Sequence, residues 1–210
     1  DADTLEWKTL RDAGEGGVFV ISPDGKRVAM VTPHEISLMN INGANYRSLL
    51  KYSQINTGSE YYYYANPIWA LDSQSLMVVI PPRDFLDNKS TSPTTIWKLF
   101  TNGMPPFQVS QFPAQNRYFI SPDFSKVSYI SYIEESGVYE IHISNIDGSK
   151  DTVYQAGTEV VSFTTWSPDS EHFVLSLDKT RQYYIGSTKD ESIPLTEENS
   201  SDYLHVDESY

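Results

Sequence analysis

The chain has 210 residues, 39% hydrophobic and 13% aromatic, which suits one all-β unit with a core of its own and is too apolar for a disordered tail. Lys and Arg number 15 against 28 Asp and Glu, a formal net charge of -13 that repels a phosphate backbone over most of the surface and excludes nucleic acid as a partner. Cysteine is absent, which excludes disulfides, thiolate metal ligands and a cysteine nucleophile.

In chain order, TLEWKTL at residues 4–10 reads as a lone outer strand, and Gly14-Glu15-Gly16-Gly17 as a flexible lead-in to the next one. ISPDGKRVAM from Ile21 then joins a turn to a strand: Pro23 fixes φ, Asp24 hydrogen-bonds local backbone and Gly25 accepts a positive φ. ISLMNING from Ile36 alternates in character and ends in Asn-Gly, the strongest short hairpin signal. The pattern then returns three times. IWALDSQSLMVVI is a degraded copy in which Ala70 and Leu71 replace Ser and Pro and Asp72 takes the aspartate position; TIWKLFTNG from Thr95 follows it. ISPDFSKVSY from Ile120 precedes VYEIHISNIDG from Val138, and WSPDSEHFVL from Trp166 precedes QYYIGSTKD from Gln182, whose turn signal is weaker. Phe124 and Ser170 stand where the first copy has Gly25.

The aspartates step by 72-24=48, 123-72=51 and 169-123=46 residues, slightly above the roughly 40 to 45 of a four-stranded propeller blade. Runs at 28–32, 76–80, 127–132 and 173–177 are β-rich and too short for helices. The expected fold is all-β, a β-propeller of four-stranded antiparallel blades. It has four recognisable repeats, at about residues 18–50, 61–110, 116–157 and 158–197, and partial strands at 4–10 and 201–210. The whole, 1–210, is expected to be one domain, and a fragment of a larger ring is favoured over a small ring closed irregularly. On the same turn chemistry, Ser22, Pro23, Asp24, Gly25, Asp72, Ser121, Pro122, Asp123, Ser167, Pro168 and Asp169 are assigned to chain reversal rather than to catalysis.

The motif (apolar)-Ser-Pro-Asp-Gly-Lys-Arg-(apolar run), followed by Glu-Ile-Ser-Leu-Met-Asn-Ile-Asn-Gly, resembles the WD40-like PD40 repeat of TolB-like proteins over about residues 4 to 197. It is also similar to the propeller domains of prolyl-oligopeptidase and dipeptidyl-peptidase-type enzymes. The resemblance implies a non-catalytic propeller that binds another protein or an envelope component. The α/β domain that precedes the propeller in the best-known TolB-like proteins has no counterpart in these residues.

Two stretches exceed the other loops: LKYSQINTGSEYYYYAN between the first and second blades, and PPRDFLDNKSTSPTT inside the second. Connections between blades and connections between second and third strands emerge on one face of a propeller, which places both at one rim. Tyr61, Tyr62, Tyr63 and Tyr64 read either as the start of a strand or, with Arg83, Asp84 and Phe85, as a recognition patch for protein or sugar. Trp69, Trp97 and Trp166 read as inter-blade core, and His142 as a strand residue facing a neighbouring blade.

No nucleophile elbow, zinc helix or phosphate loop occurs, and no catalytic residue, metal or cofactor is expected. The alternation of Asn145, Asp147, Ser149 and Asp151 lacks the glycine position and bidentate Glu of a calcium loop and reads as a hairpin turn. His205 and Asp207 share a strand face but lack a third ligand. The seven acids after residue 189, with no Lys or Arg among them, read as solvated surface, with a site for cations or a basic partner as the alternative.

No apolar run reaches the roughly 18 to 20 residues of a membrane helix, so no membrane insertion is expected. DADTLEWKTL lacks the regions of a signal peptide, and an extracytoplasmic protein, periplasmic or secreted, would carry it in its mature form. The expected partner is a protein, with self-association through open blade edges as a further consequence. The enzyme-class alternative is the substrate-gating propeller of a prolyl-oligopeptidase-type serine peptidase whose catalytic domain lies outside these residues. A metal-assisted lyase or hydrolase site in a central channel would need converging histidines and carboxylates.

Overall fold

A computed structural model describes residues 9–12, 17–53, 65–83, 92–114, 117–177 and 182–189, with fifteen strands and no helix among them. The expected partial strand at 201–210 lies outside these residues, as does 4–8 of the other; Thr9 and Leu10 are in no strand.

The strands form four antiparallel sheets in chain order. The first holds β1 (Val18–Ile21), β2 (Arg27–Thr32), β3 (Glu35–Asn40) and β4 (Arg47–Lys51). The second holds β5 (Asn66–Trp69), β6 (Ser75–Ile80), β7 (Thr94–Phe100) and β8 (Phe107–Phe112). The third holds β9 (Tyr118–Ile120), β10 (Lys126–Ile133), β11 (Val138–Asn145) and β12 (Thr152–Gly157). The fourth has three strands among the described residues: β13 (Val161–Trp166), β14 (His172–Leu177) and β15 (Gln182–Ser187). Successive meander sheets of this kind are propeller blades, the architecture that the repeats predict. The chain divides into two compact units, Asp1–Gln115 and Asn116–Tyr210, each with two blades.

All four Asp turns share one backbone pattern. Ser22, Ala70, Ser121 and Ser167 donate their N–H groups to Arg27, Ser75, Lys126 and His172 across the turn, and their carbonyls accept from Gly25, Ser73, Phe124 and Ser170. Those four acceptor-bound residues have φ of 68, 60, 63 and 61°, so the degraded second copy folds as the others do. Only the first uses glycine for a conformation that costs an L-residue roughly 1–2 kcal/mol.

The two serines at that position have a second partner. In the first unit the N–H of Asp24 donates to Ser73 Oγ of the next blade at 3.1 Å; in the second, the N–H of Asp123 donates to Ser170 Oγ at 3.0 Å. Tryptophan follows the same rule, Trp69 Nε1 donating to the Val20 carbonyl at 3.0 Å and Trp166 Nε1 to the Phe119 carbonyl at 2.9 Å. Trp69 and Trp166 are buried, as inter-blade core residues should be. Blades are thus tied in pairs, first to second and third to fourth.

Around these bonds sit the cores. In the first unit Ala29, Val31, Ile36, Leu38 and Leu50 of one blade pack with Trp69, Leu76, Val78, Ile80 and Leu99 of the next. In the second unit Phe163, Trp166 and Phe173 cluster, with ring centroids 5.4 to 5.5 Å apart, and Phe119 of the preceding blade lies 5.1 Å from Phe163. The two cores solve one volume problem differently. Leu76 faces Leu99 across β6 and β7, whereas Phe173 faces Gly186 across β14 and β15, where a Cβ would meet the Phe173 ring at 2.4 Å.

In the Asn-Gly and Asp-Gly hairpins the glycine takes positive φ, Gly43 at 82°, Gly103 at 90° and Gly148 at 83°, and Asn45 and Lys150 take it two residues further on in the first and third. The preceding side chain acts otherwise, with Asn42, Asn102 and Asp147 each accepting the N–H two residues on.

Exchanging the αL residue separates the two roles of this position. Phe124→Gly is expected to raise the unfolding free energy by about 0.5–1 kcal/mol, since relief of the strained φ exceeds the entropy glycine adds to the unfolded chain. Ser170→Gly relieves the same φ but strips the Asp123 N–H of its acceptor, so no gain is expected; paired denaturant titrations read the difference.

Candidate functional site

Three arrangements of polar groups stand out: the Asp turns, a pocket at the opposite end of the first unit's strands, and a histidine cluster in the third blade.

In the turns every carboxylate is engaged locally. Ser22 Oγ donates to Asp24 Oδ1 at 2.6 Å and Ser121 Oγ to Asp123 Oδ1 at 2.7 Å, and Ser167 Oγ donates to Asp169. The same carboxylates accept the N–H groups of Lys26, Ser125 and Glu171, and Asp72 accepts that of Gln74. Hydrogen bonds from Ser22 and from the Lys26 N–H hold Asp24 below the usual carboxylate range. At Asp123 partial burial pushes upward, and the bonds from Ser121 and Ser125 outweigh it. Bonds from Ser167, the Glu171 N–H and His172 hold Asp169 well below that range. Carboxylates so held are poor proton shuttles and good turn anchors. Pro23 and Pro168 complete the triplets on either side of the bonds just given, as does Pro122.

The pocket, about 350 Å³, opens where β4 ends, β6 ends and β7 begins. Tyr52, Pro81, Pro82, Pro93 and Trp97 wall it, with Lys51 and Arg83 as its cations. Tyr52 is fixed by its own hydroxyl, which donates to the Thr32 carbonyl at 2.6 Å, and Trp97 Nε1 donates to Thr95 Oγ1 at 3.0 Å. Trp97 is therefore half-buried at the pocket rather than enclosed like Trp69 and Trp166. Of the predicted rim patch, Arg83 lines this pocket, while Tyr61 to Tyr64, Asp84 and Phe85 lie outside the described residues. Both long insertions nonetheless line it, the first through Leu50 to Ser53 and the second through Pro81 to Arg83, Ser92, Pro93 and Thr95.

The third arrangement was not anticipated as a cluster. His142 contacts its own blade: its ring stacks on Tyr129 at 4.6 Å and 9°, Nδ1 lies 3.0 Å from Asp151 Oδ2, and Nε2 lies 3.2 Å from Glu140 Oε2. Tyr129 also donates to Asp151 Oδ2, at 2.8 Å. Burial, then the hydrogen bond and charge of Asp151 and the charge of Glu140, raise the Tyr129 phenol well above its ordinary value. The 145–151 alternation divides accordingly: Asn145, Asp147 and Ser149 bond one another within the hairpin turn, and Asp151 joins the histidine. Among the described residues no group of three or more His, Asp or Glu could hold a metal ion; His205 and Asp207 lie outside them.

No protein-family model matches the chain, and no curated protein does. Solved structures do. A putative TolB from Agrobacterium tumefaciens is 18% identical with a TM-score of 0.52, over 87% of this chain and 61% of that one. The β-propeller domain of the Trilobed protease from Pyrococcus furiosus, described as having an open velcro topology, is 20% identical with a TM-score of 0.55, over 83% and 56%. An oligogalacturonate lyase from Vibrio parahaemolyticus is 16% identical with a TM-score of 0.57, over 84% and 51%. The chain thus spans about half to three-fifths of the length of these structures. The likeness establishes the propeller fold that the sequence motif suggests, and three such different proteins on one fold leave activity to the site.

The depressed aspartates set an acid limit. Groups whose folded-state pKa lies below the unfolded value of 3.8 contribute stability that is complete above that value and is lost as pH falls through the folded one. Melting temperature is therefore expected to drop steeply below about pH 4, and Asp123→Asn/Asp169→Asn to flatten that limb, in scanning calorimetry across pH 2 to about 7.

Proposed function

We propose that the chain is a non-catalytic β-propeller binding module, a single domain whose partner is a protein held at the pocket rim of the first unit. The observation that carries this reading is the wall of Tyr52, Pro81, Pro82, Pro93 and Trp97 with Arg83 among its lining residues, all but Trp97 supplied by the two long insertions. Rigid aromatic and proline surface offers contact area at little entropic cost, and an arginine supplies directional hydrogen bonds. Tyr61 to Tyr64, Asp84 and Phe85 extend the same surface in this proposal. Likeness to TolB supports a protein partner and an extracytoplasmic setting, periplasmic or secreted. Among the described residues no helix is long and apolar enough to cross a membrane.

Likeness to the Trilobed protease propeller favours a second reading, in which the rim admits peptide to a serine peptidase domain outside these residues. A nucleophile elbow and triad encoded beside this segment distinguish it from the first.

A photo-reactive amino acid replacing Arg83 tests the rim, with one replacing Lys26, at the turn end, as the control. The expected result is a discrete crosslinked polypeptide from position 83 and none from position 26, weakened at least tenfold by Lys51→Glu, at an exposed position of the same rim, with the melting temperature unchanged. Equal crosslinking from both positions would contradict the proposal.

A further inference from the structure

At the turn end of the strands the two units carry matching grooves. In the first unit a groove of about 590 Å³ is lined by Arg27, Asn40, Arg47 and Thr101 among others. In the second, one of about 480 Å³ is lined by Lys126, Asn145, Lys150 and Thr188 among others. The correspondence is positional as well as chemical. Arg27 faces Asn40 across β2 and β3 as Lys126 faces Asn145 across β10 and β11. Thr101 and Thr188 each follow the third strand of the next blade and donate their N–H groups to Gln74 and Glu171. Each groove therefore takes its first cation from the start of one blade's second strand and a threonine wall from the blade after it.

Charge makes the pair notable. In a chain of net charge -13, each groove presents two cationic residues, and no carboxylate lines either among the described residues. In the first groove the cations are partly satisfied within the protein, Arg27 lying 3.9 Å from Asp24 and Arg47 donating to the Thr101 carbonyl. In the second, neither Lys126 nor Lys150 pairs with a carboxylate of the described residues, although Asp and Glu are abundant in the sequence. Two like charges on the walls of one concavity repel each other, and an anion between them removes that cost. Asn145, Thr152, Ser187 and Thr188 place amide and hydroxyl groups in the same wall.

We propose that these grooves are oxyanion-binding subsites, each taking one carboxylate or phosphate group, with the Lys126–Lys150 groove the stronger. This is independent of the rim reading, because in the first unit the rim pocket lies at the end of β6 and the groove at the start of β2 and beyond the end of β7.

The test is a titration of the 210-residue chain with sodium phosphate against sodium chloride at fixed ionic strength, followed by amide and side-chain resonances. Saturating shifts at Asn145 and Thr188 are expected with a midpoint of millimolar order, and weaker ones at Asn40 and Thr101. Lys126→Gln/Lys150→Gln is expected to weaken the second groove at least tenfold and leave the first unchanged. Lys150→Gln alone, at an exposed position, serves if the double variant unfolds. A second arm with tetraglutamate reads the source: tighter binding of the peptide assigns the groove to polypeptide carboxylates, tighter binding of phosphate to phosphoryl groups. Shifts that rise linearly and equally with chloride, phosphate and peptide, or that survive Lys150→Gln unaltered, would overturn the proposal.

Discussion

The structure depends on hydrogen bonds that leave one blade and end on the backbone of the blade before it. Trp69 and Trp166 reach the carbonyls of Val20 and Phe119, and Ser73 and Ser170 receive the N–H groups of Asp24 and Asp123. A meander sheet buries one face at most by itself, so each blade requires a neighbour in register. Apolar packing brings neighbours together without direction, whereas an indole N–H or a hydroxyl aimed at one backbone group fixes which rows meet. Ser73 and Ser170 remain serine at a φ that favours glycine, which follows if the inter-blade bond outweighs the local strain.

This ordering explains what the sequence discloses and what it hides. The turn chemistry of Ser-Pro-Asp, the Asn-Gly and Asp-Gly hairpins and the spacing of the aspartates are all local, and the strands around 28–32, 76–80, 127–132 and 173–177 stand where local pattern puts them. Pairing of blades also leaves a trace in the sequence. Ile21 and Ile120 alternate with Trp69 and Trp166 at the end of the first strand, and Gly25 and Phe124 alternate with Ser73 and Ser170 four residues on. The second and fourth copies thus share Trp and Ser at the positions that make the inter-blade bonds, while Ala70 and Leu71 in place of Ser-Pro are peculiar to the second. Contacts such as Tyr129 on His142, or Gly186 making room for Phe173, depend on strand register, which a single sequence does not fix.

For the candidate sites the division is similar. Arg83 was reached from an insertion too long for its blade, and the pocket it lines adds Tyr52 and Trp97, whose positions depend on bonds to Thr32 and Thr95. The matching grooves arise from residues far apart in sequence, such as Lys126 and Thr188, which only blade packing brings together. Propellers of unlike activity share this scaffold, because the strands fix the blades and leave loop ends free to vary.

Native-state hydrogen exchange tests the pairing of blades most directly, since it reads the opening free energy of each strand and of the Asp24 and Asp123 amides. The expected result is that β2, β3, β6 and β7 open together as one cooperative unit and β10, β11 and β14 as another, with both aspartate amides as protected as the strands they join. Four blades opening at four separate free energies, with those two amides exchanging as free turns do, would contradict it.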